Sequence, residues 1–228
     1  MPEGPEVYFL AYHLKKLGLN CHSYGKHLLL KVESESASAS ALRNSKSRDI
    51  SFGLYGRVYY DAKSKKLDKI QTSPISGDDK LIDSNASLGL GPDFMEMSRE
   101  CFEKFVFEKI GNSRRQLATF LLDQDEIAGL GVAWISEIFF IAGLKQEDMS
   151  GKGKDLDELK KFKLVDAMMQ VQTINKLIMM EMVKDLDSET FVNQWFQNLY
   201  QIREPYLKVY RKSFARSVLI GSRQFWVS

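Results

Sequence analysis

The opening residues Pro2, Glu3, Gly4, Pro5 and Glu6 carry the densest chemistry in the chain. If Met1 is removed, Pro2 becomes a free secondary amine. An α-amino group titrates near pH 8 (about 7.7–8.0), so a useful fraction is unprotonated at neutral pH. Such an amine can attack an electrophilic sugar carbon and form a covalent iminium with it. The Glu3 carboxyl beside it can give and take protons. Glu6 follows three residues later, so in a helix starting here the two carboxylates share a face. A plainer reading stands beside this one: Pro5 is a first-turn proline, and Glu3 and Glu6 complement a helix dipole.

These residues need an element to hold them. Val7, Leu10, Ala11, Leu14 and Leu17 follow helical spacing, and Gly18 is a natural stop. His13 lies beside that stripe and reads as helix surface. The run from Tyr24 to Val32 has strand character, with Lys26 near its start. A Ser- and Ala-rich loop is expected from Glu33 to Arg48, and a second strand from Ile50 to Tyr60. Asp61 to Leu90 shows no clear period, and Leu90-Gly91-Pro92-Asp93 marks a turn and a domain boundary.

Beyond that turn the chain reads as helical. Asn112 or Ser113 can cap a helix with the stripe Leu117, Phe120 and Leu121. Gly129 and Gly131 break it before a second helix bearing Trp134, Ile135, Ile138 and Phe139, which ends at Gly143. Backbone N–H groups at such a Gly-x-Gly corner can hold phosphate, and the same pattern also serves plain core architecture. Lys163–Glu181 and Phe191–Leu199 are further helices, and a hairpin with Gly221 near its bend closes the chain.

The 228 residues suffice for one large or two modest domains. Cys21 and Cys101 are the only cysteines, too few for a disulfide framework or a cysteine zinc site. We therefore expect no metal and no cofactor. No signal peptide or membrane-length apolar run is evident, which leads us to expect an intracellular protein without a membrane partner. The net charge is +2, but after Glu204 every charged residue is basic: Lys208, Arg211, Lys212, Arg216 and Arg223. Tyr206, Tyr210, Phe214, Phe225 and Trp226 interleave with them. That composition suits a polyanion or a solvated basic terminus.

Taken together, four stretches resemble the Fpg/Nei DNA glycosylases over nearly the whole chain. They are Pro2–Glu6, Gly25–Leu30, Leu121–Phe139 with its Gly129-Leu130-Gly131 turn, and Tyr206–Tyr210. Gly4 is closer to the endonuclease VIII (Nei) branch. The resemblance implies an α+β fold: an N-terminal helix and β-sandwich domain (1–90), a helical domain with a helix–two-turn–helix (91–204), and a C-terminal β-hairpin finger (205–228). It implies a monomer acting on damaged DNA, with base excision and abasic-site lyase activity through a Schiff base at Pro2. Oxidised pyrimidines are the expected lesions. Pro2, Glu3 and Lys26 would be catalytic, and Arg223, Leu54, Gly129, Gly131 and Glu6 would serve DNA binding.

The sequence also departs from the family pattern. Val132 stands where an asparagine is expected after the Gly-x-Gly, and the finger has no zinc-ligand cysteines. Gln224-Phe225-Trp226 follows Arg223 one residue short of the family spacing. A catalytically impaired DNA-binding protein is therefore the alternative.

Overall fold

In a computed structural model, the protein is described over residues 3–31, 46–51, 56–61, 63, 66–72, 78–83, 89–185, 187–193 and 203–228. Contacts group the chain into two compact units. One comprises Met1–Leu90 with Glu181–Ile202, and the other Gly91–Met180 with Arg203–Ser228. By packing, the C-terminal hairpin thus goes with the helices, and 181–202 goes with the N-terminal segment.

The first unit begins with helix α1, Gly4–Lys16. Val7, Leu10, Ala11 and Leu14 are buried, as the helical spacing requires. Gly18 ends the helix in the left-handed region at φ 89°. There Leu19 N–H reaches back to the Leu14 carbonyl, closing orphan acceptors of the last turn. Strands β1 (Cys21–Tyr24) and β2 (His27–Lys31) follow as a hairpin against which α1 packs. Lys26 therefore lies in the turn between two strands and does not open a single long one. Gly25, at φ 54°, supplies the conformation that turn needs.

The expected single strand over 50–60 is two: β3 (Lys46–Ser51) and β4 (Gly56–Asp61). The charged stretch after it, where no period was legible, contains β5 (Lys66–Thr72) and β6 (Asp78–Asp83). Among the described residues, β1-β2-β3-β6 form one antiparallel sheet and β4-β5 a second. Alternating charges such as Lys66-Leu67-Asp68-Lys69-Ile70 obscured β5, because strand pairing needs main-chain groups and tolerates polar side chains.

The second unit holds α2 (Arg99–Lys104), α3 (Leu117–Leu122), α4 (Val132–Ala142), α5 (Gln146–Ser150) and most of α6 (Glu158–Asp185). The final strands, β7 (Arg216–Ile220) and β8 (Arg223–Val227), form the expected hairpin. Its core gathers Phe94, Phe102, Leu117, Leu121, Trp134, Ile138, Met168 and Phe225, all essentially inaccessible to solvent. Gly143 ends α4 at φ 65°, with Leu144 N–H donating to the Phe139 carbonyl. The N-cap of α3 is Gln116, not Asn112 or Ser113. The Ser113 hydroxyl instead accepts from Arg115 N–H in the preceding turn. No helix among the described residues is long and apolar enough to cross a membrane.

Candidate functional site

Glu3 is the N-cap of α1, and its side chain accepts from the main-chain N–H of Glu6. In return Glu6 Oε2 accepts from Glu3 N–H at 2.6 Å, completing a capping box. Both carboxylates are buried, Glu3 to 2% exposure and Glu6 to 6%. Burying two acids at one helix start is affordable only because N–H groups and the positive dipole end face them. The plainer reading of Glu3 and Glu6 as helix-start residues therefore holds as geometry. It does not compete with chemistry, since the box fixes a carboxyl group immediately after residue 2.

Lys26 is half-buried in the β1–β2 turn, in the same unit as Glu3 and Glu6. Pro2 and Leu54 lie outside the described residues.

His13 departs from its expected place on the helix surface. Only 1% of it is exposed. Its ring stacks on Phe191 with centroids 4.0 Å apart, and its Nδ1 lies 3.1 Å from the Ser188 hydroxyl. Burial, reinforced by Lys16 and opposed by Asp187, pulls its pKa down to about 4. A helical turn at 188–193 supplies this cover, which a reading of α1 alone could not anticipate.

In the second unit the corner between α3 and α4 is held by side chains that bond its main chain or clamp its acids. Gly129 adopts φ 99°, and Gly131 is the N-cap of α4 with no side-chain cap. Gln124 ties the loop together with one amide. Its Nε2 donates to the Leu122 and Leu130 carbonyls at 3.0 Å each, and its Oε1 accepts from Gly129 N–H at 2.9 Å. Arg115 adds ion pairs to Asp123 at 2.8 Å and Glu126 at 3.3 Å, and its hydrogen bond lowers the Asp123 pKa.

A strap braces the corner from outside. Gly91 N–H donates to the Gln124 carbonyl, Ala128 N–H to Pro92, and Phe94 N–H to Ala128. A Cβ on Gly91 would come within 2.3 Å of the Glu126 carbonyl carbon, so only glycine fits. The segment read as a boundary turn is thus also a support for the corner. Val132 begins α4 half-exposed, and its carbonyl accepts from the Ser136 hydroxyl at 2.8 Å.

Arg223 opens β8 opposite Ile220 and is exposed. The hairpin turns through Gly221 at φ 60°, where an added Cβ would meet Thr119 Cγ2 of α3 at 3.0 Å. Arg223, Gly129 and Gly131 therefore belong to one packed unit. Sequence reasoning placed Gly91 only in a boundary turn and gave no individual role to Gln124, Arg115 or Glu137. Glu137 had a signal: an acid among Trp134, Ile135, Ile138 and Phe139, all buried, must find partners.

No family model matches this sequence, and no curated protein matches it significantly. Solved structures do match in fold. The MutM (Fpg) protein from Thermus thermophilus aligns with a TM-score of 0.72 at 17% identity, covering 100% of this chain and 97% of that one. Lactococcus lactis Fpg in complex with a THF-DNA and an inhibitor gives 0.68 at 18%, covering 100% and 98%. The same L. lactis glycosylase bound non-covalently to DNA containing an AP site gives 0.66 at 17%, covering 98% and 96%. The chain has the Fpg/MutM fold.

Proposed function

We propose that this protein is a DNA glycosylase of the Fpg/Nei family, acting in base-excision repair with an associated abasic-site lyase activity. The observation that carries the reading is the capping box at the start of α1. It holds the Glu3 carboxyl, buried and oriented, next to residue 2 in a chain with the glycosylase fold.

In this reading the free Pro2 amine attacks C1′ of a damaged nucleotide flipped out of the duplex. Flipping exposes C1′, and a damaged base costs less to extrude than an intact pair. The base leaves with the electron pair of the C1′–base bond, and Glu3 delivers a proton to the sugar ring oxygen as the C1′–O4′ bond opens, which leaves C1′ joined to the Pro2 nitrogen as an iminium. The resulting iminium acidifies the C2′ proton, and its loss expels the 3′ phosphate. Lys26, a point charge in the β1–β2 turn, holds a phosphate or assists proton transfer. Leu54 is the wedge candidate, and Glu6 keeps Glu3 in place through the capping box.

On the other unit, the first-turn N–H groups of α4 and the exposed Arg223 face DNA phosphates. Gly4 supports the Nei-like preference for oxidised pyrimidines. The protein works as a monomer, without a bound metal, inside the cell.

Val132 favours a second reading, in which the fold binds DNA with impaired catalysis, because a valine side chain offers a phosphate no hydrogen bond. A duplex carrying one oxidised pyrimidine separates the two. Release of the free base with a nick at the lesion supports the enzyme, whereas tight binding with an intact strand supports the second reading.

A further inference from the structure

Helix α4 carries a buried carboxylate that the proposed chemistry does not use. Glu137 is 1% exposed. Its Oε2 accepts from Lys208 N–H at 2.7 Å, and its Oε1 accepts from Val209 N–H at 2.9 Å and Tyr210 N–H at 2.8 Å. Consecutive main-chain N–H groups converging on one carboxylate form an anion nest, here filled by the protein itself. The preceding residue works on the other side of the hairpin, where the Ser136 hydroxyl accepts from Trp226 N–H at 3.1 Å. Neighbouring residues of one helix thereby grip both the segment that enters the hairpin and the strand that leaves it. The hairpin tip lies beside α3, where a Cβ added to Gly221 would meet Thr119 Cγ2 at 3.0 Å.

From this geometry we propose that Glu137 is a positioning residue for DNA binding, setting Arg223 at a fixed distance from the Gly129–Gly131 turn so that both engage the same duplex. The inference rests on the glycosylase reading. Its physical content is preorganisation: once the turn holds one phosphate, a rigid hairpin makes the Arg223 contact an intramolecular event. A loosened hairpin keeps Arg223 but loses that advantage. Glu137→Gln is the sharpest perturbation. It retains an oxygen for two N–H groups and sets an NH2 against the third.

The test is a double-mutant cycle of Glu137→Gln and Arg223→Ala. Binding is measured to a duplex with a tetrahydrofuran abasic analogue across a salt series, on protein shown to be folded by circular dichroism. Both single variants should weaken binding, Glu137→Gln by tenfold or more, and each should flatten the salt slope by about one. The double variant should bind within about twofold of Glu137→Gln alone, because Arg223 is already disengaged. Amide exchange at 208–210 should accelerate in the Gln variant. Multiplicative losses in the double variant, or wild-type affinity and slope in folded Glu137→Gln, would overturn the proposal. Should Glu137→Gln fail to fold, Ser136→Ala carries the same cycle with the same deciding outcomes. Wild-type protein that binds no DNA overturns the glycosylase reading and this inference with it; binding by the wild type with a multiplicative cycle overturns this inference alone.

Discussion

At the start of α1 the candidate chemistry lies in side chains, with Glu3 and Glu6 buried and each bonded to the other's main chain. At the α3–α4 corner the candidate DNA contacts lie in the main chain, and the side chains serve as scaffolding. Gln124 closes the loop, Arg115 clamps its acids, and Gly91 allows the strap to approach. A side-chain site can lose its chemistry while keeping its shape. A main-chain site can be damaged only by changing shape. Substitutions in the two regions should therefore separate activity from stability in opposite ways.

The largest separation is expected at Glu3. Glu3→Gln keeps an oxygen to cap α1, so its melting temperature should change little, within about 1 kcal/mol of stability. Excision of an intact lesion base should fall on the order of 10²–10⁴-fold, the range for loss of a positioned acid. Equal loss on lesion DNA and on ready-made abasic DNA would show that Glu3 does not act in base departure. A lesion-excision assay beside a melting curve reads both.

Gly91→Ala should do the reverse. The new methyl meets the Glu126–Ile127 backbone, which cannot move aside cheaply, and about 2–4 kcal/mol of stability should go. DNA affinity should fall with it, while trapping of an abasic site at saturating DNA should survive. A Gly91→Ala protein with wild-type melting would show that the strap does not brace the corner.

His13 offers a check on how firmly α1 itself is held. Its folded pKa, about 4, lies below the free value near 6.5, so the unfolded chain binds more protons between these limits. The stability contributed by neutral His13 is complete above about pH 6.5 and is lost as pH falls toward 4. Denaturant melts from pH 7 to pH 4.5 should show a loss of about 1–2 kcal/mol from this group. His13→Phe, which keeps the stack on Phe191, should flatten that dependence.

The smallest effect is expected at Val132. Because the position is half-exposed, Val132→Asn should leave melting nearly unchanged and tighten duplex binding by up to about 1.5 kcal/mol, roughly tenfold. Unchanged affinity would mean that this residue faces no phosphate.

How legible these regions were follows from the same contrast. The stripe on α1, the glycine stops at Gly18 and Gly143, the two-turn corner and the closing hairpin were all readable, because each rests on local spacing or a required φ. What escaped was non-local. His13 is buried by a segment some 175 residues away, and Glu137 is satisfied by main chain some 71–73 residues away. The strands β5 and β6 hid in charged sequence, since their pairing uses groups that every residue carries. Among the site residues, Glu3 and Glu6 stood out by type and position, whereas Gln124 and Gly91 act through geometry that no short motif encodes.

The enzymatic reading depends most on the nucleophile, and borohydride trapping tests it directly. Protein shown by intact mass to lack Met1 is incubated with abasic-site DNA and borohydride, and the cross-linked peptide is mapped. The expected result is a stable protein–DNA adduct with the new bond at the nitrogen of Pro2, abolished when one residue is added ahead of it. A bond mapped to Lys26 would move the nucleophile, and no adduct at all would contradict the enzymatic reading.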